Sequence, residues 1–218
     1  MKTKEPSLLR VGLFFSAAFG IGWLVVDRPS ALWFPAQLFI AGAAIFAATV
    51  GLARGARVDI RFYPRDMAPF WATALKMIVW GAGGAEVIFG LASVLVPTNL
   101  DRAIHIIDFG RARAAVGAHP AAAWLLIAGW MLFFTASEEI FFRGIVLTRL
   151  RSRFGTAAAV VLSSAWFALG HFPSPVMPFV FAMGLVFAGI CVATDDLGAS
   201  SLAHWFWNMS VLYMLIKK

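Results

Sequence analysis

Long apolar runs separated by short polar ones set the pattern of this chain. Seven can be drawn, at about 8–26, 31–53, 68–96, 121–148, 156–171, 176–193 and 198–216. Most reach the ~20 residues that a helix needs to cross the hydrocarbon core of a bilayer. The fifth is short and ends at Pro173 and Pro175, so it is expected to stop inside the membrane rather than beyond it. The third holds Lys76, close enough to one end to snorkel, and a deeper Glu86. Gly81, Gly83 and Gly84 beside Glu86 would let another helix approach closely. The stretch 98–120 differs from the rest. It mixes Asp101, Arg102, His105, Asp108, Arg111 and Arg113 with Ile104, Ile107 and Phe109. It reads either as an interfacial amphipathic helix or lid, with Thr98 or Asn99 as a cap, or as an ordinary structured loop. No internal repeat, low-complexity tract or soluble domain is visible. The fold class expected is all-α, a polytopic transmembrane bundle of about seven spans.

Composition strengthens this picture. The chain is 61% hydrophobic and 13% charged, against about 25% charged in a soluble domain. The net charge of +7 comes mostly from Lys and Arg lying between the apolar runs. That distribution speaks for membrane topology, not for a nucleic-acid-binding face. With seven spans and the N-terminus inside, ten basic residues fall on the inner side: Lys2, Lys4, Arg10, Arg54, Arg57, Arg61, Arg65, Arg149, Arg151 and Arg153. Six fall outside: Arg28, Arg102, Arg111, Arg113, Lys217 and Lys218. The excess favours a cytoplasmic N-terminus. The first run, preceded by Lys2, Lys4 and Arg10, is expected to be an uncleaved signal anchor. Cys191 is the single cysteine, so no intrachain disulfide can form.

The polar residues inside the apolar runs carry the chemistry. Glu138, Glu139 and Arg143 lie within the fourth run. An acidic residue at the centre of a spanning helix costs about 2.5–3.5 kcal/mol on insertion scales. Glu139 and Arg143 are four apart and share a helix face, so they are expected to pair. Glu138, about 100° round the helix, is left free. An ion pair that only fixes packing is the plainer alternative. His171 ends the fifth run, and His204 and Asn208 share one face of the seventh. At the helical rise, Glu138 lies roughly 16 Å, His171 roughly 22 Å, and His204 and Asn208 roughly 9 and 15 Å from the inner boundary. These depths overlap closely enough for one cavity to hold all four. The zincin pattern His-Glu-x-x-His and the nucleophile elbow Gly-x-Ser-x-Gly are both missing. Asp195 and Asp196 read as solvated loop residues or helix caps.

Taken in order, Glu-Glu-x-x-x-Arg at Glu138, Glu139 and Arg143, Phe-x-x-x-His at Phe167 and His171, and His-x-x-x-Asn at His204 and Asn208 resemble the CPBP family. That family holds the CAAX prenyl endopeptidases and bacteriocin-processing relatives, described as glutamic intramembrane proteases. The resemblance covers about 121–216. It divides the chain into N-terminal spans plus an interfacial segment, 1–120, and a catalytic helical core, 121–218. It implies a helical bundle with an intramembrane catalytic cavity and no metal or other cofactor. Glu138 and His171 would activate a water, and His204 and Asn208 would stabilise the oxyanion. Glu139 and Arg143 would support them, with Phe167 as packing. The implied partners are a membrane-anchored protein or peptide substrate and the lipid bilayer, not nucleic acid. The implied location is the plasma (inner) membrane, multi-pass. Three other readings stay open: a zinc metallohydrolase using Glu138, His171 and His204, a proton-coupled transporter with Glu86 in its relay, and a non-catalytic scaffold.

Overall fold

The structure is a computed structural model. It describes residues 7–27 (backbone alone at 22–27), 33–56, 58, 75, 79–80, 83–84, 86–88, 90–91, 108–171 and 174–217. Among the described residues every regular element is helical. In chain order these are α1 (Leu8–Asp27), α2 (Phe34–Gly55), α3 (Phe109–Ala118) and α4 (Pro120–Glu139), then a π-helical segment (Ile140–Leu147), α5 (Thr148–Leu169), α6 (Met177–Thr194) and α7 (Gly198–Lys217). Prolines stand in the first turns of α2, α4 and α6, where a missing N–H removes no helical bond. Three helical stretches, Phe34–Gly55, Pro120–Leu169 and Met177–Thr194, are long and apolar enough to cross a membrane. Leu8–Ile21 is a shorter apolar helix. The fourth predicted run and all but the last two residues of the fifth lie within the single stretch Pro120–Leu169. Its bend is at Gly155, whose φ of 78° is open to glycine and strained for other residues.

Helix packing sets the cavity. α2 lies against α4 so closely that a Cβ at Gly42 would come within 2.8 Å of Trp130, and one at Gly129 within 2.7 Å of Phe39. α5 and α6 meet at Gly184, where a Cβ would lie 2.9 Å from that of Ser164. α1 docks through aromatic contacts. Phe15 stacks on Phe141 at 4.0 Å, and Phe19 meets Phe134 at 5.1 Å.

The described residues of the third predicted run are helical, and they show which way Glu86 faces. A Cβ at Gly84 would meet Ile190 and Ala203, and Ile88 one turn on is fully buried, so this face packs on α6 and α7. Glu86 lies two residues from Gly84, roughly 200° round the helix. It is therefore exposed on the opposite side and takes no part in the buried cluster. Lys76, Gly81, Thr98 and Asn99, with 99–107, lie outside the described residues. The remainder of the 98–120 stretch is an ordered helix, α3, whose N-cap is Asp108 accepting from the Arg111 N–H at 3.0 Å. Arg111 donates to Gln37 at 3.1 Å and sits over the Phe34 ring, while Arg113 donates to the Leu215 carbonyl at 2.9 Å. Two arginines thus fasten α3 across the ends of α2 and α7.

Candidate active site

Glu138 and Glu139 are the last two residues of α4, immediately before the π-helical segment. All eight residues of that segment are buried. A π turn closes hydrogen bonds five residues apart instead of four. The Thr148 hydroxyl, donating to the Arg143 carbonyl at 3.4 Å, spans the same interval. This local widening ends where α5 begins, so Arg143 is presented from a short, irregular and fully enclosed turn.

The two glutamates have different surroundings. Glu139 is completely buried, and its Oε1 lies 3.0 Å from an Arg143 guanidinium nitrogen and 3.0 Å from His204 Nδ1. The pairing of Glu139 with Arg143 is therefore as the spacing implied. Its bond to His204 is new, because sixty-five residues separate the two and no local pattern marks it. Arg143 is further held by the Gly184 carbonyl at 3.2 Å and lies 4.7 Å from the centre of the Phe167 ring. Such contacts disperse the charge of a guanidinium that cannot reach water.

His204 is buried, stacked on Phe187 at 4.5 Å, with Phe167 edge-on at 5.7 Å. A carboxylate only accepts hydrogen bonds, so Nδ1–H is the donor to ionised Glu139. The other ring nitrogen, Nε2, then faces Glu138 Oε2 at 3.5 Å. His171 lies just past the end of α5, and its Nδ1 is 3.1 Å from the Phe167 carbonyl. That oxygen too can only accept, which places the proton on Nδ1 and leaves Nε2 with a lone pair. Phe167 thus packs on Arg143, His204 and His171 and also anchors the His171 ring through its backbone.

Glu138, His171, His204 and Asn208 line one cavity of about 790 Å³. Most of the rest of its wall is apolar and aromatic, including Phe109, Met131, Phe134, Phe179, Trp207 and Leu212. A few converging polar groups on an apolar wall are the usual make-up of a small-molecule or peptide site. Sequence reasoning missed the contribution of α1, whose Leu9, Gly12, Leu13, Phe15, Ser16 and Phe19 also line it. An apolar helix shows no sign in its sequence of which neighbour it will face. Asp196, expected as a cap, accepts from the Ala199 N–H at 3.0 Å and starts α7, and Asp195 closes α6 in the left-handed conformation. Among the described residues no group of three His, Cys, Asp or Glu side chains is spaced to hold a metal ion.

Comparison with the curated proteins and with the solved structures returns no match. Comparison with protein families does: residues 120–210 match the family described as Rce1-like, type II CAAX prenyl endopeptidase Rce1-like. The matched stretch contains Glu138, Glu139, Arg143, His171, His204 and Asn208. With its long apolar helices, the chain is an integral membrane protein whose residues 120–210 match the Rce1-like domain of the CPBP family.

Proposed function

We propose that the protein is an intramembrane endopeptidase that hydrolyses a peptide bond of a membrane-associated protein or peptide, using a water activated by Glu138 and His171. The observation that carries this is the convergence of Glu138, His171, His204 and Asn208 on one cavity, with Glu138 and His204 3.5 Å apart. The division of labour follows from the hydrogen bonds. Nε2 of His171 is free to accept a proton from water, and Glu138 offers a second base in the same cavity. The water oxygen attacks the scissile carbonyl carbon, its proton passes to this pair, and the tetrahedral oxyanion forms. Asn208 can donate to that oxyanion through its amide. The proton is then delivered to the leaving amine.

His204 must also donate if it is to share the oxyanion. Its Nδ1–H is committed to Glu139, so donation from Nε2 needs the imidazolium form. Charge balance favours that form. Ionised Glu138 and Glu139 with Arg143 alone leave the buried cluster one positive charge short, and unbalanced buried charge is strongly disfavoured. One proton held between Glu138 and His204 restores neutrality. When it sits on His204, Glu138 is a base and His204 a donor in the same microstate. Glu139 then serves to hold the imidazolium in orientation.

We further place the catalytic core in 121–218, with 1–120 supplying walls of the bundle, seven spans in all and the N-terminus in the cytoplasm of a plasma (inner) membrane. The test is hydrolysis by purified, reconstituted protein in heavy-oxygen water. Direct attack by water puts the heavy oxygen into the new carboxyl group of the product. Label appearing in the Glu138 side chain after a single turnover would instead mean a covalent acyl-enzyme, and absence of cleavage of any membrane-anchored peptide would contradict the reading.

A further inference from the structure

Glu139 makes its bonds to Arg143 and His204 through one oxygen, Oε1. Its Oε2 is buried and has no hydrogen-bond partner among the described residues. The same holds for Arg143 Nε, Ser201 Oγ and Asp196 Oδ2. Asp196 is 2% and Ser201 4% exposed. These atoms belong to one stretch of the bundle. Ser200 and Ser201 lie four and three residues before His204, so both flank its face, one turn nearer Asp196. Leu197, seven residues before His204, packs on the π-helical segment, 3.5 Å from where a Cβ at Gly144 would be. Ser200 is close enough to Glu139 to interact with its carboxylate. Cys191 of α6 is within electrostatic reach of Glu139 and Arg143 and also of Asp195 and Asp196. From Asp196 to His204 the helix rises only about 12 Å, with two buried hydroxyls between. Buried polar atoms in folded proteins are nearly always paired, with protein or with ordered water. Carboxylate oxygens, hydroxyls and a guanidinium N–H together supply the donors and acceptors that internal water needs.

We propose that Asp196, Ser201 and the free sides of Glu139 and Arg143 hold internal water behind the catalytic groups, and that through this pocket Asp196 acts as a positioning residue that keeps His204 charged. The inference rests on the endopeptidase reading, in which His204 donates to the oxyanion as an imidazolium. Asp196 is the one buried anion at the start of α7 among the described residues. Its Oδ1 accepts from the Ala199 N–H, and the other free N–H groups of that first turn favour a carboxylate there. The ionisable groups around His204 are Glu138 and Glu139 of α4, Arg143, and His171 past the end of α5. Around Asp196 they are Asp195 and Cys191. Arg149 stands at the start of α5, which packs on the end of α6 through Leu150 and Cys191.

The test follows His204 itself and needs no cleavage. Full-length protein carrying isotope-labelled histidine is reconstituted in liposomes and titrated by solid-state NMR. The His204 signal is the one missing from His204→Gln. Asp196→Asn removes the charge and keeps the helix cap, since Asn caps as well as Asp. An anion favours the imidazolium, so removing it releases the proton earlier as pH rises. His204 should therefore titrate about one pH unit lower in Asp196→Asn, the effect of a unit charge ~12 Å away at an effective dielectric constant of about 20. Asp195→Asn removes the neighbouring, exposed charge, and Asn tolerates its left-handed backbone. Solvent and salt screen that charge, so the titration should move by less than about 0.3 pH units. A high-resolution crystal structure of the wild type should show ordered water within ~3.2 Å of both Asp196 Oδ2 and Ser201 Oγ. An unmoved titration in Asp196→Asn would overturn the proposal. So would equal shifts in the two variants, or a pocket with no ordered water at those atoms. In the active enzyme the alkaline limb of the kcat–pH profile should move together with the NMR titration. The NMR shift in a protein that cleaves no membrane-anchored peptide would uphold the pocket and defeat the endopeptidase reading instead.

Discussion

Glu139 carries more than its partner on the helix implies. It joins Arg143 on one side and His204 on the other through the same oxygen, Oε1. Glu139→Ala leaves a buried guanidinium uncompensated, and breaking one side of such a pair costs about 3–5 kcal/mol. The double replacement Glu139→Ala with Arg143→Ala is expected to melt above the sum of the single losses, measured by thermal unfolding in detergent. Strictly additive losses would mean the two charges do not interact. The bond to His204 adds a chemical consequence: the double variant, even where folded, should turn over more slowly, because the imidazole has lost its orienting acceptor. Asn208 is the counterpart on α7. Asn208→Ala is expected to lower kcat by about 100- to 1,000-fold, the usual effect of losing one oxyanion donor. KM should move much less, since that hydrogen bond strengthens only in the transition state. A loss confined to KM would make Asn208 a substrate-binding group. At this scale the sequence was highly legible. Charged and amide side chains inside apolar runs announce themselves, and i,i+4 spacing gave the Glu139–Arg143 pair. The Glu139–His204 bond was not legible, because it depends on how α4 and α7 are set against each other.

Among the helices, the contact of α5 with α6 holds the site from behind. Gly184 lets Ser164 approach, and the carbonyl of the same glycine accepts from Arg143. Gly184→Ala would put a Cβ 2.9 Å from Ser164 Cβ and 3.0 Å from its Cα, so backbone must shift as well as side chain. Overpacking of this kind costs about 1–3 kcal/mol. The expected result is a lower melting midpoint, partly restored by Ser164→Gly, which removes the opposing side chain. No change in midpoint would show that α5 and α6 are free to separate. The apolar runs located α1, α2, α6 and α7, and α4 taken together with the π-helical segment, to within a few residues. They could not mark the π-helical segment, since a shift from four- to five-residue bonding leaves an apolar run apolar. Nor could they place Glu86. Depth along a helix can be counted from sequence, but the direction a side chain faces depends on which neighbour covers Gly84.

For the molecule as a whole, the arrangement puts Glu138, His171, His204 and Asn208 on the wall of a mostly apolar cavity and fastens α3 across the ends of α2 and α7. Phe109 of α3 and Leu215 of α7 both line that cavity, so the helix fixed by Arg111 and Arg113 is also part of its wall. Four of its polar lining residues, Glu138, His171, His204 and Asn208, lie within the stretch that matches the family, while α1 and α3 contribute to the wall from outside it. The central claim is that Glu138 and His171 together activate the water. Its most direct test is single-turnover hydrolysis of a membrane-anchored peptide by reconstituted wild type, Glu138→Gln and His171→Ala, each first shown to melt as the wild type does. The account predicts that each variant is slower by about 100- to 10,000-fold, the contribution of a general base. A folded Glu138→Gln protein that cleaves at close to the wild-type rate would contradict it.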